Sequence, residues 1–335
     1  MKPFASRTLF LALMAIGGGA VAFAQAGKAA EPLALVRANV LDVRTGRIAA
    51  NQTVVLRDGK IENISGATAA AGMKTIDMAG RTLVPGLADA HTHISNFAAA
   101  RRALESGVTT VRSSGASLFI DVGLRDLVKA GGLPGPDVLA SGYHVRERLA
   151  EEAFISDPAL SDLMGGVRTI ADIRRVVRMN LARGVDWIKI NATERAGTAD
   201  TDPRKQMWNE GEIRAIVEEA ALKGVRVQAH AHGAEGASAA VKAGVASIEH
   251  GTYLTDEALD MMKLKGIAFV PTYSTVIDLA EPGGDYDQPA LILRGQAMLP
   301  RLAEVVRKAH QKGVLIVTGA DTSYGPNSLT RVSHE

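Results

Sequence analysis

Histidines at the ends of predicted strands are the residues of this sequence best suited to chemistry. The chain has eight histidines. Six of them fall at or just after a predicted strand end: His91, His93, His144, His230, His232 and His250. Side chains two residues apart on a strand share a face, so His91 and His93 project together, and neutral imidazoles are common zinc ligands. The pair predicts half of a metal site; the alternative is two histidines hydrogen-bonded in a core.

Lys189 is the second unusual feature, because it lies between two isoleucines in a predicted strand. If Ile188 and Ile190 face the outer helices, Lys189 faces the interior, where an unpaired ammonium group is costly. A lysine of lowered pKa can react with carbon dioxide to form an anionic carbamate, which can bridge two metal ions. The alternative is that Lys189 pairs with a carboxylate in the interior.

Further candidates close predicted strands later in the chain. His230 and His232 share a face, and one of them is expected to be a ligand; the deeper His230 is preferred. His250 closes the next strand. Asp321 closes the eighth, where an aspartate can bind a metal and move a proton. Alternatively, Asp321 is a helix N-cap or a turn residue.

The elements that must position these residues form two regions. Residues 32–82 contain four short strand-like segments separated by turn signals, which predict a small β domain. From residue 83 strands and helices alternate, with predicted strands at 83–94, 109–113, 137–141, 187–191, 225–232, 247–250, 268–273 and 314–320. Helical patterns lie at 96–106, 171–183, 210–223, 256–265 and 301–312, and residues 145–169 predict an extended loop. Eight alternating units predict an α/β fold, a (β/α)8 TIM barrel over residues 83–335, with its active site at the carboxyl ends of the strands.

Composition and charge limit the partners. The 335 residues are 47% hydrophobic and carry a formal net charge of +2, which is ordinary for a globular protein. Without a basic stripe, nucleic-acid binding has no electrostatic support. The absence of cysteine from the sequence excludes disulfides, a thiolate nucleophile and cysteine metal ligands.

The first residues have the pattern of a targeting segment. Lys2 and Arg7 precede an apolar stretch, and Ala22-Phe23-Ala24 fits a cleavage site. The pattern predicts a signal peptide over residues 1–24, cleaved after Ala24. We therefore expect a periplasmic or secreted protein with no stable membrane anchor; the alternative is an uncleaved anchor.

Five motifs together resemble a known family. They are PGLADAHTH at 85–93, WIKI at 187–190, AHAHG at 229–233, IEHG at 248–251 and TGADT at 318–322. In this order on the predicted strands, they resemble the amidohydrolase superfamily of metal-dependent hydrolases, and more narrowly its imidazolonepropionase-like and Xaa-Pro or Xaa-Arg dipeptidase branch. The resemblance covers the chain after the signal peptide and implies a TIM barrel with a small N-terminal β-sandwich domain.

The resemblance also implies a binuclear centre of two divalent metal ions, most naturally zinc. The ligands that it implies are His91, His93, Lys189, His230, His250 and Asp321. The first two histidines would share one ion with the aspartate, the other two histidines would hold the second ion, and a carboxylated lysine would bridge both. A hydroxide between the ions would attack a carbonyl carbon, and the aspartate would pass its proton to the leaving amine. Side chains placed to hold a substrate carboxylate are Tyr143, His144, Arg146, His232 and Tyr273.

The function expected is that of a zinc-dependent amidohydrolase cleaving a peptide-like or amide C–N bond, as a dipeptidase, a carboxypeptidase-type enzyme or an N-acyl amino acid hydrolase. Its partner would be a small-molecule or dipeptide substrate, with homo-oligomer formation left open. The alternatives are the same site acting on a lactone, a cyclic amide or an organophosphate, and a non-catalytic truncated barrel. Family members continue past the eighth strand, whereas this sequence ends at Glu335. We therefore expect the last barrel helix to be missing and an apolar flank to be uncovered.

Overall fold

The computed structural model describes residues 31–66, 68 and 72–335. The predicted signal peptide, residues 1–24, lies outside the described residues. Contacts between residues divide the chain after Pro85, and the second unit runs from Gly86 to Glu335. Within the described residues, no helix combines the length and the apolar character that crossing a membrane requires.

The first unit is a mixed β-sheet. Its strands are β1 (Leu33–Leu41), β2 (Ile48–Arg57), β3 (Lys60–Ser65), β4 (Lys74–Asp77) and β5 (Thr82–Leu83). They are ordered β3-β2-β1-β4, and β5 also pairs with β1. The β1–β2 and β2–β3 pairs are antiparallel, whereas β4 and β5 run parallel to β1. The four predicted strand-like segments coincide with β1 to β4. In the described part of this unit the strands make one sheet, so the second layer of the expected sandwich is not among these residues.

The second unit alternates strands and helices. Its strands are β6 (Leu87–Thr92), β7 (Val108–Ser113), β8 (Asp137–Leu139), β9 (Trp187–Asn191), β10 (Arg226–Ala231), β11 (Ser247–His250) and β12 (Ala268–Val270). Its helices are α1 (Phe97–Glu105), α2 (Ile120–Lys129), α3 (Glu151–Ser156), α4 (Ile170–Ala182), α5 (Glu210–Ala221), α6 (Ala234–Ala243), α7 (Asp256–Lys265), α8 (Tyr273–Ala280) and α9 (Pro289–Lys312), with 3-10 turns at Ser117–Phe119 and Pro158–Gly165. This alternation is the α/β fold that the sequence predicts.

Two parallel sheets form the centre of this unit. One has the order β6-β7-β8 and the other the order β9-β10-β11-β12, and every pairing within them is parallel. Isolated bridges connect the segments between the sheets: Val145 with Ile190, Phe269 with Ile316, and Thr92 with Thr322. The carboxyl ends of the strands in each parallel sheet therefore lie at one edge, where the predicted site residues are found.

Local signals set the ends of the helices. A capping box of Thr169 and Asp172 begins α4, and a second one of Asn209 and Glu212 begins α5. In each box the two side chains satisfy backbone N–H groups that the first turn leaves unpaired. Gly266 ends α7 in the left-handed conformation, which a residue without a Cβ adopts at little cost. These boundaries agree with the predicted ones to within two residues.

The side chains of β9 alternate as predicted. Ile188 and Ile190 are fully buried in the large apolar cluster that also contains residues of the surrounding helices. Lys189, between them, lines a pocket with several histidines instead. The period of two along a strand therefore places this lysine in the interior.

Two predicted strands and one predicted loop differ from the structure. The strand predicted at 268–273 ends at Val270, because Thr272 has a left-handed backbone (φ 49°) that turns the chain into α8. The strand predicted at 314–320 is not regular, and Ile316 makes only an isolated bridge. The loop predicted at 145–169 contains α3 and a 3-10 turn. Sequence periodicity finds these segments but not their exact form.

Helix α9 is much longer than the helix predicted at 301–312. It spans 24 residues and continues on both sides of Pro300. Gly295 lies where α9 packs on α8, and a Cβ added there would come within 2.6 Å of the backbone nitrogen of Ala280. The glycine that weakens the helical pattern in the sequence therefore permits the close approach of two helices.

Candidate metal centre

All six histidines predicted at strand ends line one pocket, together with Lys189 and Asp321. The other residues that line it are Asn191, Arg195, Ala196, Gly197, Thr275, Val276, Leu279 and Tyr286. The imidazole rings are close: the ring centroids of His230 and His250 are 4.4 Å apart, and those of His91 and His250 are 5.0 Å apart. The strands thus bring together side chains that are far apart in the sequence.

His91 is oriented by a buried carboxylate. Its Nδ1–H donates to Oε2 of Glu249 at 2.8 Å. The other oxygen of Glu249 accepts hydrogen bonds from Arg112 at 2.8 Å and from Ser247 at 2.5 Å. The carboxylate is fully buried, and Arg112 compensates its charge. The Nε2 atom of His91 is therefore left facing the pocket, 3.4 Å from an oxygen of Asp321.

His250 is oriented by a threonine at the end of the neighbouring strand. The hydroxyl of Thr272 donates to the carbonyl of Pro271 at 2.7 Å, so it accepts from Nδ1–H of His250 at 2.7 Å. Both His250 (φ 69°) and Thr272 (φ 49°) have left-handed backbones, which are costly for residues with a Cβ and cluster at functional sites. This hydrogen bond leaves Nε2 of His250 without its proton and available as a ligand.

Backbone carbonyls orient two more rings. Nδ1–H of His93 donates to the carbonyl of Gly115 at 3.3 Å, and Nε2–H of His230 donates to the carbonyl of Glu194 at 3.1 Å. The nitrogen left without a proton is therefore Nε2 in His93 and Nδ1 in His230. Hydrogen bonds of this kind fix the tautomer of metal-binding histidines.

Burial keeps most of these rings neutral. It is the largest influence on the five imidazoles whose pKa is lowered: His91, His144, His230, His232 and His250. Nearby positive charge, that of Lys189 included, lowers each pKa further, and the pKa of His232 falls to about 3. A neutral imidazole has the lone pair that metal coordination requires.

Lys189 is buried without a partner. Its side chain is 1% exposed, and its Nζ atom has no hydrogen-bond partner among the described residues. Burial lowers the pKa of Lys189 to about 8, although the charges of Glu249 and Asp321 oppose this shift. The pairing with an interior carboxylate, considered from the sequence, is not found in the described part of the chain. An orphaned buried amine of this kind calls for a chemical explanation.

Asp321 lies close to two histidines, because the segment that carries it packs tightly against the strand that carries His91. One carboxylate oxygen lies 3.1 Å from Nε2 of His93 and 3.4 Å from Nε2 of His91. A Cβ at Gly319 would lie 2.9 Å from Cβ of His91, so glycine is needed for this approach. Burial acts to raise the pKa of Asp321, but its contacts with His91 and His93 and the charge of Lys189 lower that pKa overall. The carboxylate is therefore ionised.

Two groups of side chains have ligand atoms close enough to share one metal ion. The first is His91, His250 and Asp321, and the second is His230, His232 and His250; in each group the atoms lie within 4.8 Å of one another. His93 joins the first group through its contact with Asp321. The division therefore differs from the one that the resemblance implies, because His250 belongs to both groups and His232 accompanies His230.

Two of the predicted substrate-binding residues line the metal pocket. His144 lies at the junction with a second pocket, and its Nδ1 atom is 2.8 Å from Oδ1 of Asn191. His232 is 3% exposed, and its Nδ1 atom is 2.9 Å from the hydroxyl of Thr252. His232 is thus as well placed to be a ligand as to touch a substrate.

Of the other three, two line the second pocket and one lies elsewhere. Tyr143 and Arg146 line the second pocket beside the metal centre. The hydroxyl of Tyr143 accepts from the backbone of Leu118 at 2.7 Å. Tyr273 lines a different pocket, and its backbone N–H donates to Glu335. Tyr273 therefore does not line the metal pocket, because the predicted strand ends before it and α8 begins there, and its role in substrate binding stays a prediction.

Sequence reasoning missed several residues of the site. Glu249 precedes His250 in a quoted motif, but its role depends on the approach of Arg112 from another strand. Arg195 and Tyr286 lie on loops that line the metal pocket. No strand periodicity applies to these loops, so no signal of that type could have found them.

Histidines, a lysine and an aspartate thus meet at the strand ends of an α/β fold. This arrangement is typical of metal-dependent hydrolases. The model of the amidohydrolase family matches residues 82–333, and the chain belongs to that family. It is 31% identical over 290 residues to an ochratoxinase of Aspergillus niger, an alignment that covers 74% of this chain. The chain spans 59% of the length of that relative. The structure of a Xaa-Pro dipeptidase with bound methionine in the active site is similar (TM-score 0.77, 27% identity, 88% of this chain and 80% of that one covered). A prolidase complexed with N-methylphosphonate-L-proline is also similar (TM-score 0.74, 25% identity, 87% and 78% covered).

Proposed function

We propose that this protein is a metal-dependent hydrolase that cleaves a peptide-like or amide C–N bond, as a dipeptidase, a carboxypeptidase-type enzyme or an N-acyl amino acid hydrolase. The observation that carries the proposal is the buried, unpartnered Nζ atom of Lys189 in a pocket lined by six histidines and Asp321. The names of the similar proteins support the C–N bond, since these proteins include an ochratoxinase, a Xaa-Pro dipeptidase and a prolidase.

We further propose that the strands close into a (β/α)8 barrel around this pocket. The parallel bridges named above support this, because they fall where the third and eighth strands would pair with their neighbours. In such a barrel the pocket would lie at the carboxyl ends of the strands, where barrel enzymes carry their active sites.

The residues of the pocket fit two divalent cations, and zinc is the ion we propose. The donors are neutral imidazoles and a carboxylate, which zinc prefers. Lys189 does not fit as an ammonium group, because a cation beside two metal ions would be repelled. It does fit as a carbamate, the anion that a neutral lysine amine forms with carbon dioxide. The proposed ligands are His91, His93, Lys189, His230, His250 and Asp321.

The chain's own residues divide the remaining work. When bound, cations at this site would lower the pKa of a water and polarise a carbonyl group. Asp321 is ionised and lies beside the pocket, so it can accept the proton of the attacking water and return it to the leaving nitrogen. Glu249 and Thr272 hold His91 and His250 in the tautomers that direct Nε2 toward the pocket. A small-molecule or dipeptide substrate would occupy this pocket and the second one beside it.

The experiment that tests the proposal combines metal analysis with a substrate screen. The full chain is loaded with zinc, its metal content is measured, and a library of dipeptides and N-acyl amino acids is offered. We expect two ions per chain and hydrolysis of at least one amide. Asp321→Asn should lose turnover, whereas Asp260→Asn on the surface of α7 should keep it.

Three outcomes would overturn the proposal. A folded protein that binds no divalent metal would remove the metal centre. Bound metal without turnover on any amide would favour a binding protein, and turnover on lactones or organophosphates alone would move the activity to another bond. Each of these results is separable from failure to fold, which circular dichroism of the same samples detects.

A further inference from the structure

The second pocket adjoins the metal centre and has an unusual charge. His93, His144 and Arg195 line both pockets. The second pocket adds Arg146, and none of the described residues that line it is an aspartate or a glutamate. Because burial keeps His144 neutral, the two arginines supply the charge of this pocket.

These two arginines lack the partners that other arginines of the protein have. Arg112 is paired with a carboxylate at 2.8 Å, and Arg125 with another at 2.9 Å. Within the described part of the chain, neither Arg146 nor Arg195 has a side-chain hydrogen bond or an ion pair. A guanidinium group offers five N–H donors, so both side chains are free to bind an anion.

The two arginines repel each other electrostatically. Burial lowers the pKa of Arg146, and repulsion from Arg195 lowers it further, while the charge of Glu152 opposes the shift. Arg146 remains charged at neutral pH because an arginine loses its proton only far above that range. Two like charges that share a pocket without an ion-paired carboxylate are relieved most by a ligand with two negative charges.

The positive charge of the two arginines also determines which end of a dipeptide enters the second pocket. The amino end of a dipeptide is cationic, so the arginines would repel it, and the carboxylate end would be attracted. His93 and His144 line both pockets. One small molecule can therefore place its amide at the metal centre and its carboxylate end between the arginines.

We propose that the second pocket is a dicarboxylate subsite, in which Arg146 and Arg195 bind the two carboxylates of a C-terminal aspartate or glutamate. The inference rests on the proposed function and narrows it to dipeptides or N-acyl amino acids that end in an acidic residue. Guanidinium groups suit this ligand, since they bind carboxylates with paired, charge-assisted hydrogen bonds.

The test compares two substrates that differ only in one charge. Zinc-loaded protein is assayed with Ala-Glu and Ala-Gln, and kcat/KM should favour Ala-Glu roughly tenfold, the value of one additional charge-assisted hydrogen bond. Arg146→Gln and Arg195→Gln should each reduce this preference toward one, and Arg195→Lys should retain part of it. Arg204→Gln is the matched control, because Arg204 lies on the same loop but pairs with Asp202.

A binding measurement separates this inference from the proposed function. Calorimetry with L-glutamate and L-glutamine needs no turnover, and glutamate should bind roughly tenfold more tightly, with an affinity that falls as salt is added. Equal kcat/KM for Ala-Glu and Ala-Gln would overturn the subsite and leave the hydrolase intact. Absence of hydrolysis throughout the amide library would overturn the hydrolase, and equal binding of the two amino acids would then also overturn the subsite.

Discussion

The Nδ1 atom of His91 lies 2.8 Å from Oε2 of Glu249, although the two residues are 158 positions apart in the sequence. Arg112 and Ser247 hold the other oxygen of the same carboxylate. His91 is thus fixed from the interior, with Nε2 directed toward Asp321. A ligand that is already in position loses less conformational freedom when a metal binds.

Glu249→Gln should weaken metal binding without preventing folding. The amide cannot accept hydrogen bonds at both positions, so His91 loses the acceptor that fixes its tautomer. Replacement of a group that holds a metal ligand costs roughly 10-fold to 100-fold in affinity. Equilibrium dialysis against zinc buffers would measure this loss of affinity.

Glu219→Gln is the matched control for that substitution. Glu219 is also a buried glutamate, paired with Arg174 and Arg178 on the outer helices. Its replacement should lower stability and leave metal affinity unchanged. Wild-type zinc affinity in Glu249→Gln would contradict the role assigned to the carboxylate.

Lys189→Met should stabilise the metal-free protein at neutral pH. Burial lowers the pKa of Lys189 from 10.5 to about 8, so the folded protein pays on the order of 3 kcal/mol to keep the amine protonated. Methionine is of similar length and needs no hydrogen-bond partner. Denaturant unfolding of the two proteins after metal removal would measure the difference.

The pH dependence of that difference follows from the sign of the shift. Between about pH 8 and pH 10.5 the unfolded chain keeps a proton on this amine that the folded protein has lost. The penalty in the wild type is therefore complete below pH 8 and is relieved as the pH rises through this window. The advantage of Lys189→Met should shrink accordingly, and an advantage that stays constant to pH 10 would show that Lys189 is not the titrating group.

The sequence predicts those parts of the site that follow from local rules, and it does not predict those that depend on contacts between distant segments. His91, His93 and Lys189 follow from the alternation of side chains along a strand, which is a local rule. The approach of Glu249 to His91 is not local, because it depends on how separate strands are arranged. A sequence contains the two residues but not the distance between them.

Loops and helix contacts limit the prediction in the same way. Tyr273 is assigned to a strand end by an apolar pattern that does not detect the left-handed turn at Thr272. The first half of α9 is missed because Gly295 and Pro300 usually weaken a helix. Here Gly295 allows α9 to pack on α8, so tertiary contact outweighs the local preference.

Lys189→Ala should abolish hydrolysis, and short carboxylates should restore part of it. The shortened side chain leaves room for acetate or propionate, which would supply the anion that the proposed carbamate provides. Activity is assayed with increasing carboxylate on zinc-loaded protein. The control is Lys312→Ala, which alters a partly buried lysine paired with Asp260 on the outer helices. This variant should keep its activity and show no response to added carboxylate. Full activity of Lys189→Ala without any carboxylate would remove the bridging role.

We also propose export with cleavage after Ala24, as the targeting pattern predicts. Expression of the full sequence in a bacterium with a periplasm should yield a protein whose first residue is Gln25. Mass spectrometry of the periplasmic fraction would identify this end. An intact Met1 in the inner-membrane fraction would contradict cleavage, and an intact Met1 in the cytoplasm would contradict export.

Arg294 is predicted to set substrate affinity from a distance. It projects from α9 and donates to four backbone carbonyls of the loop after β9: Ala196 at 2.7 Å, Thr198 at 2.7 Å, Ala199 at 3.2 Å and Thr201 at 2.5 Å. That loop carries Arg195 and Gly197, which line the metal pocket. The hydrogen bonds of one side chain therefore fix the wall of the site.

Arg294→Gln should raise KM several-fold with a smaller effect on kcat, because the loop must be ordered when substrate binds. Limited proteolysis should also cut residues 195–201 faster, since fewer contacts hold that segment closed. Arg301→Gln, an exposed change on the same helix, provides the control. A change in kcat alone, with an unchanged rate of proteolysis in the loop, would contradict this role. Arg294 would then not act by holding the loop in place.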